Sequence, residues 1–178
     1  MNLSKIFKYC PGCGAKGPKA YSKNKHITCG KCGFEYYHNV ASSAAAIIEC
    51  GSKVLVITRA NKPKAGMLDF PGGFADYGES IEETVAREVR EELGIKVKNP
   101  RYLISAPNIY VYKGVTYTTT DLFFTCMIDN PKKIKPNRKE IAGIEFFEPG
   151  RIPVNRLAFD SGKTAIRYYI KLRRQSRS

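Results

Sequence analysis

Apolar positions along the chain fall into two periods. Short apolar runs at 44–49 and 53–58 flank Gly51-Ser52 and predict a hairpin. Ile81, Val85, Val89 and Leu93 recur at every fourth position and predict a helix with one continuous apolar stripe. Ser80 stands at the N-cap place with Glu83 three residues on, the spacing of a capping box, and Gly94 marks the stop. Ahead of the helix, Gly72, Gly73 and Gly78 predict a tight loop. Beyond it, 102–106, 110–112 and 116–128 read as strands with Lys113-Gly114 as a turn. A basic, proline-containing loop is expected at 130–139, a strand at 141–147, and a closing helix over 160–172 on Ala165, Ile166, Tyr169, Ile170 and Leu172. Residues 173–178 read as a frayed tail. The order of strands, helix, strands and helix predicts an α/β fold, a mixed sheet with helices packed on it.

The first forty residues follow a different logic. Cys10-Pro-Gly-Cys13 and Cys29-Gly-Lys-Cys32 are C-x2-C knuckles whose separation matches a four-thiolate zinc ribbon. So short a segment cannot hold itself together by apolar burial, so structural Zn²⁺ would supply its folding free energy. A redox-active pair is the alternative reading. His26 and His38 read as surface or turn residues, because four cysteines already satisfy the ion. The domain boundary is placed at Asn39, giving a ribbon over 1–38 and a main domain over 39–178. Cys50 and Cys126 lack a metal-like spacing and read as small buried or turn residues.

Composition and charge narrow the class. Hydrophobic residues at 43% and charged ones at 26% suit a globular protein, and no apolar run approaches a membrane span. The start, MNLSKIFKYC, lacks the apolar centre of a signal peptide, so the cysteines are expected in a reducing, cytoplasmic setting. The net charge is +14. Residues 1–40 carry Lys5, Lys8, Lys16, Lys19, Lys23, Lys25 and Lys31 against Glu35 alone. Lys132, Lys133, Lys135, Arg138 and Lys139 form a second group, and 163–177 hold basic residues with no acid. Such a field attracts nucleotides, RNA or DNA, and equally serves as a solubilising surface.

On the predicted helix, Glu88, Glu91 and Glu92 fall within an arc of about 100° beside the apolar stripe. Their mutual repulsion costs a few tenths of a kcal/mol per pair, which Arg87 partly relieves. Clustered hard oxygens suit Mg²⁺ or Mn²⁺ together with substrate phosphates, and an ordinary acidic face is the alternative. The stretch resembles the Nudix box, G-x5-E-x7-R-E-U-x-E-E-x-G-U. Gly73, Glu79, Arg87, Glu88, Val89, Glu91, Glu92, Gly94 and Ile95 fill every specified position, and Phe70-Pro71-Gly72-Gly73 is similar to the family's lead-in.

The resemblance implies an α/β/α sandwich and Mg²⁺-dependent hydrolysis of a nucleoside diphosphate linked to a moiety X. It implies that Glu88, Glu91 and Glu92 hold metal, that Glu91 or Glu92 contributes the base, and that Gly73 lends its carbonyl. Glu79 and Arg87 would orient the loop. Glu140 before the strand at 141–147 resembles a family segment whose glutamate completes the metal site or acts as base; its other reading is a lone charge in a lysine-rich loop. Arg59 at a strand end is a candidate phosphate contact or a surface arginine. Tyr110 and Tyr112 are candidates for stacking on a base, or plain sheet tyrosines.

A zinc ribbon ahead of the box is similar to the NADH pyrophosphatase branch. Of its S-Q-P-W-P-F-P signature, the stretch at 105–110 keeps Ser105, Pro107 and an aromatic, Tyr110. The expected substrates are therefore NAD(H), ADP-ribose or a similar dinucleotide or nucleotide sugar. A nucleic-acid-associated protein acting on or binding capped RNA is the alternative, and a non-catalytic nucleotide sensor a third. Relatives are often homodimers.

Overall fold

The structure is a computed structural model and describes residues 3–21, 25–128 and 130–175. The chain divides into two compact units, Met1–Val40 and Ala41–Ser178.

The first unit holds a short helix, α1 (Leu3–Ile6), and an antiparallel sheet of β1 (Lys19–Tyr21), β2 (His26–Thr28) and β3 (Glu35–Tyr37) in that order. Among the described residues its buried side chains are few: Leu3, Cys10, Pro18, Ile27 and Cys29. His26, read from sequence as a surface or turn residue, is a half-buried strand residue. It lies in β2, stacks on Tyr37 at 4.3 Å, and its Nε2 sits 3.2 Å from the Thr28 hydroxyl. Strand pairing of His26 with Tyr37 puts the two rings face to face.

The second unit is built on a mixed sheet. Its strands are β4 (Ala41–Cys50), β5 (Lys53–Arg59), β6 (Leu68–Asp69), β7 (Gly72–Phe74), β8 (Lys98–Tyr112), β9 (Val115–Met127) and β10 (Ile141–Phe147). The order is β10-β5-β4-β9-β8, with β6 against β5 and β7 against β4; β4 and β9 run parallel and the other pairs antiparallel. Strand parity assigns the two faces. Ala44, Ala46, Ile48, Leu55, Ile57 and Phe124 pack with Val85, Val89 and Leu93 of α2 (Ile81–Leu93). Ile47, Val54, Val56 and Phe123 pack with Ala165, Ile166 and Tyr169 of α3 (Asp160–Gln175). Burial on both faces is why the runs at 44–49 and 53–58 are apolar at nearly every position. The α/β/α sandwich and the mixed sheet are as expected.

The helix termini also behave as read. The Ser80 hydroxyl accepts from the Glu83 amide, the Glu83 carboxylate accepts from the Ser80 amide, and Gly94 turns left-handed at φ 68°. The carbonyls of Glu92 and Leu93 accept from the amides of Asn137 and Lys135, 2.8 Å each. The loop at 130–139 thus satisfies helix-end acceptors that would otherwise lack partners.

Three elements differ from the expectation. Residues 98–112 form one strand rather than two segments. Pro107 is tolerated because β8 lies at the sheet edge, where a missing N–H costs no ladder bond. The glycine loop carries β6 and β7, too short to leave a periodic signal. The last helix continues to Gln175, with the Arg173 guanidinium donating to the Tyr169 hydroxyl at 3.0 Å, so only 176–178 of the expected tail lie outside the described residues. Among the described residues, no helix is long and apolar enough to cross a membrane.

Candidate functional site

β7 places the glycine loop. Gly73 pairs with Ala44 and Gly72 with Ala45, at such close approach that a Cβ on Gly72 would lie 2.1 Å from the Ala44 carbonyl oxygen. A Cβ on Gly73 would lie 2.3 Å from Glu88 Oε1. Space requires glycine at 72, where the clash is with backbone; at 73 a side chain would push the Glu88 carboxyl aside, so glycine there lets the loop backbone lie against the acidic edge of α2.

Arg87 ties the pieces together. Its Nε donates to Glu79 Oε1 at 2.7 Å, its Nη2 to the Phe74 carbonyl at 2.9 Å, and its Nη1 to Glu88 Oε1 at 2.8 Å. The guanidinium pulls the Glu79 carboxyl down to about 2. One side chain thus fixes the loop before the helix and the carboxylate beyond it.

Glu92 is buried, 7% exposed, and its Oε2 accepts from the Gly72 amide at 3.1 Å. Burial, then the neighbouring Glu88 charge, push its carboxyl well above the ordinary value, and among the described residues it has no ion pair. Burial likewise raises Glu88, against the pull of Arg87. Glu140 faces the same space, its Oε1 accepting from Asn137 Nδ2 at 2.8 Å. Glu91 is set apart: its side chain is 54% exposed, lies 3.5 Å from Arg87, and does not line the cleft.

The cleft above these carboxylates has a volume of about 1400 Å³. Its far side is aromatic and basic. Tyr110 lies 5.6 Å from Phe159 and 5.4 Å from Phe74, ring centre to ring centre, with Tyr112 next to it at 6.4 Å. Arg59 sits over the Phe159 ring at 5.2 Å, donates through Nη1 to Asp69 Oδ2 at 2.8 Å, and through Nε to the Pro63 carbonyl at 3.1 Å. Lys62, Lys64 and Lys113 line the rim. Every sequence candidate for this site except Glu91 therefore borders or braces one cavity.

Sequence reasoning missed Asp121, Phe159 and Phe74. The buried Asp121 carboxylate accepts from four neutral donors: Ser43 and Thr119 hydroxyls on Oδ1, at 2.7 and 2.6 Å, and Asn108 Nδ2 and the Ser161 hydroxyl on Oδ2, at 2.9 and 2.6 Å. Asn108 is two residues from Tyr110 and Ser161 two from Phe159, so this acid joins the elements that carry the facing rings. A lone carboxylate in the buried run of β9 was the available signal. Asp121→Asn puts an amide N–H₂ where two donors already point, and is expected to cost about 1–3 kcal/mol of stability. Loosening of the rings should then raise KM for a base-bearing substrate more than it lowers kcat, measured by steady-state kinetics below the melting range.

In the first unit the Sγ atoms of Cys10, Cys13, Cys29 and Cys32 all lie within 4.8 Å of one another, and Cys10–Cys32 and Cys13–Cys29 are each 3.7 Å apart. Tetrahedral zinc with bonds of about 2.3 Å sets sulfurs about 3.8 Å apart, whereas a disulfide needs about 2.05 Å. The backbone amides of Cys32 and Lys31 pull the Cys29 thiol down to about 6. Against the pull of the Phe34 amide, crowding by the sulfurs of Cys13, Cys29 and Cys10 pushes Cys32 up to about 12. The cluster thus holds one ready thiolate and needs a cation to ionise Cys32 as well. The four sulfurs fit zinc. Among the described residues they are the one group of three or more such ligand atoms this close. Glu88, Glu92 and Glu140 are more open, which fits an ion that keeps waters and takes phosphate oxygens.

Comparison with known proteins agrees. The NUDIX domain model matches residues 38–168. An ADP-ribose pyrophosphatase of Methanocaldococcus jannaschii is 34% identical over 132 residues, 73% of each chain. An NAD-capped RNA hydrolase NudC of Erwinia tasmaniensis is 34% identical over 109 residues, 60% of this chain, which spans only 41% of that protein. The crystal structure of a NUDIX hydrolase from Nitrosomonas europaea superposes with a TM-score of 0.73 at 23% identity, covering 95% of this chain and 93% of that one. With a fold, a box and a domain match in agreement, the chain belongs to the NUDIX family.

Proposed function

We propose that the cleft hydrolyses the pyrophosphate bond of a nucleoside diphosphate linked to a second moiety, with NAD(H) or ADP-ribose as the substrate type. The observation that carries this is the pair beneath Gly72 and Gly73: Glu92, buried and without an ion pair among the described residues, and the half-buried Glu88, which shares the single Arg87 guanidinium with Glu79. A buried carboxylate without a cation is unfavourable unless a ligand completes it. Glu88, Glu92 and the Gly73 carbonyl would hold Mg²⁺ or Mn²⁺ as the counter-charge, with Glu91 on the same helix edge as the remaining candidate ligand. Bound there, the ion would neutralise phosphate charge and make a bound water more acidic.

The chain's own residues supply the rest. Tyr110 and Phe159 stand where a base can stack, and the cleft is roomy enough for a dinucleotide. Arg59 and the rim lysines face the substrate's phosphates, while Asp69 holds the Arg59 fork in place. A water oxygen attacks one phosphorus, the bridging P–O bond breaks, and the leaving phosphate keeps the electron pair. Glu140, braced by Asn137, is the carboxylate that takes the water's proton.

Gly73→Ala tests the loop. The new methyl group would displace the Glu88 carboxyl, a flexible group, so folding is expected to survive while kcat/KM falls at least 10-fold and the Mg²⁺ requirement rises. The reading as a whole is tested by a Mg²⁺-dependent hydrolysis panel across NADH, ADP-ribose, dinucleoside polyphosphates and nucleoside triphosphates, with products identified. Cleavage confined to nucleoside triphosphates would refute the substrate class.

A further inference from the structure

The hub at Asp121 does more than hold the facing rings. An ionised carboxylate only accepts hydrogen bonds, so every hydroxyl bonded to it has spent its single hydrogen there. Ser43 and Ser161 both line the cleft, and, bonded to Asp121 at 2.7 and 2.6 Å, they offer it lone pairs alone. Asn108, also in the lining, is fixed in the opposite sense. One Nδ2 hydrogen goes to Asp121 Oδ2 at 2.9 Å and Oδ1 accepts from the Ile109 amide at 2.9 Å, which leaves the second Nδ2 hydrogen as its donor. A flipped amide would set its oxygen against the carboxylate and its NH₂ against an N–H, so the orientation is not free. Ser43 and Asn108 are half-buried, with a side open to a ligand, whereas Ser161 is buried. Asn108 stands two residues before Tyr110 on β8, hence on the same side of the strand, and Ser43 is in register with Asp121 on β9. A fixed acceptor and a fixed donor therefore accompany the rings on which a base can stack.

A ring stacked there meets an edge of set polarity. The match is an amino group beside an acceptor, as in adenine's amine with the neighbouring ring nitrogen, or in a primary carboxamide. Hypoxanthine reverses both members of the adenine pair, setting lone pair against lone pair and hydrogen against hydrogen. A carboxylate in place of the carboxamide brings a second negative charge towards Asp121. We propose that Ser43 and Asn108, oriented by Asp121, select the stacked ring by the amino group on its edge and reject the keto or acid counterpart. This rests on the reading of the cleft given above. A dinucleotide such as NAD carries the chemistry twice, on adenine and on nicotinamide, and analogues altered at one end separate the two sources.

The test measures kcat/KM of the full chain with Mg²⁺ on NAD, nicotinamide hypoxanthine dinucleotide and nicotinic acid adenine dinucleotide. At least one analogue is expected to fall about 10-fold or more below NAD, the scale of one mispaired polar group at a partly open site. Loss on the hypoxanthine compound places adenine against Ser43; loss on the nicotinate compound places the carboxamide there. Three equal values would overturn the proposal. Ser43→Ala removes the acceptor and is expected to bring the affected ratio below about 3. Ser43→Cys, still a donor to Asp121 but a weak acceptor, repeats the test should alanine fail to fold. Thr119→Val removes a donor from the same carboxylate at a buried position, so a lower melting temperature with the ratio kept is expected. A ratio that survives the Ser43 variants, or collapses equally in Thr119→Val, rejects the selection. Were wild type to cleave none of the three, the cleft reading would fall separately and calorimetric binding would decide. Preference of about 10-fold or more for adenosine over inosine monophosphate, or for nicotinamide over nicotinic acid mononucleotide, sustains the selection; equal affinities reject it.

Discussion

Glu92→Gln is expected to lower kcat by about 10²–10³-fold, the scale seen when one group stabilising transition-state charge is removed. Its melting temperature in chelator should be unchanged or higher. The two effects have opposite signs for one reason. Glu92 is 7% exposed, receives a single backbone N–H from Gly72 and faces Glu88, so the folded apo protein tolerates this charge rather than gaining from it. Glutamine keeps the shape and an acceptor for Gly72 while removing the charge. Catalysis needs the charge to grip a cation; folding does not. Kinetics with Mg²⁺ and thermal unfolding with chelator check both halves. A variant with wild-type turnover, or one that unfolds far earlier, would strip Glu92 of this role.

Cys29→Ser, or exhaustive chelation, should abolish zinc content and melt the first unit. Among its described residues that unit buries only Leu3, Pro18, Ile27 and two of its cysteines, too little apolar surface for a stable core. Structural zinc in peptides of this size contributes about 10–16 kcal/mol near neutral pH. Hydrogen exchange should show lost amide protection over 3–21 and 25–40, while 41–175 keep theirs because both helices retain their own clusters. Retained protection in the metal-free first unit would contradict a structural zinc.

Much of the site was legible because it is written locally. Ser80, Glu83 and Gly94 fix α2 within its own sequence, and the box residues inherit their places from that helix. Arg87 and Glu79 are eight residues apart and meet because the loop between them closes tightly. The rest was set by tertiary pairing. Asp121 meets Ser43 through the parallel pairing of β4 with β9, Asn108 through the antiparallel pairing of β8 with β9, and Ser161 through the packing of α3, none of which periodicity reports. Phe159 precedes a helix without any motif. β6 and β7 exist because β5 and β4 offer them partners, not because two or three residues prefer a strand. The separation of Glu91 from the cleft is likewise a matter of angle: helical spacing grouped it with Glu88 and Glu92, and packing turned only those two inward.

Everything proposed for the cleft depends on the buried Glu92 and half-buried Glu88 beneath the glycine loop seating a divalent cation. Anomalous diffraction from crystals soaked in Mn²⁺ tests this without reference to any substrate. The expected result is a manganese peak bonded to Glu88 and Glu92 at the Gly73 carbonyl. A well-ordered structure with no peak there, or with manganese only on outward-facing acids such as Glu82, would contradict it.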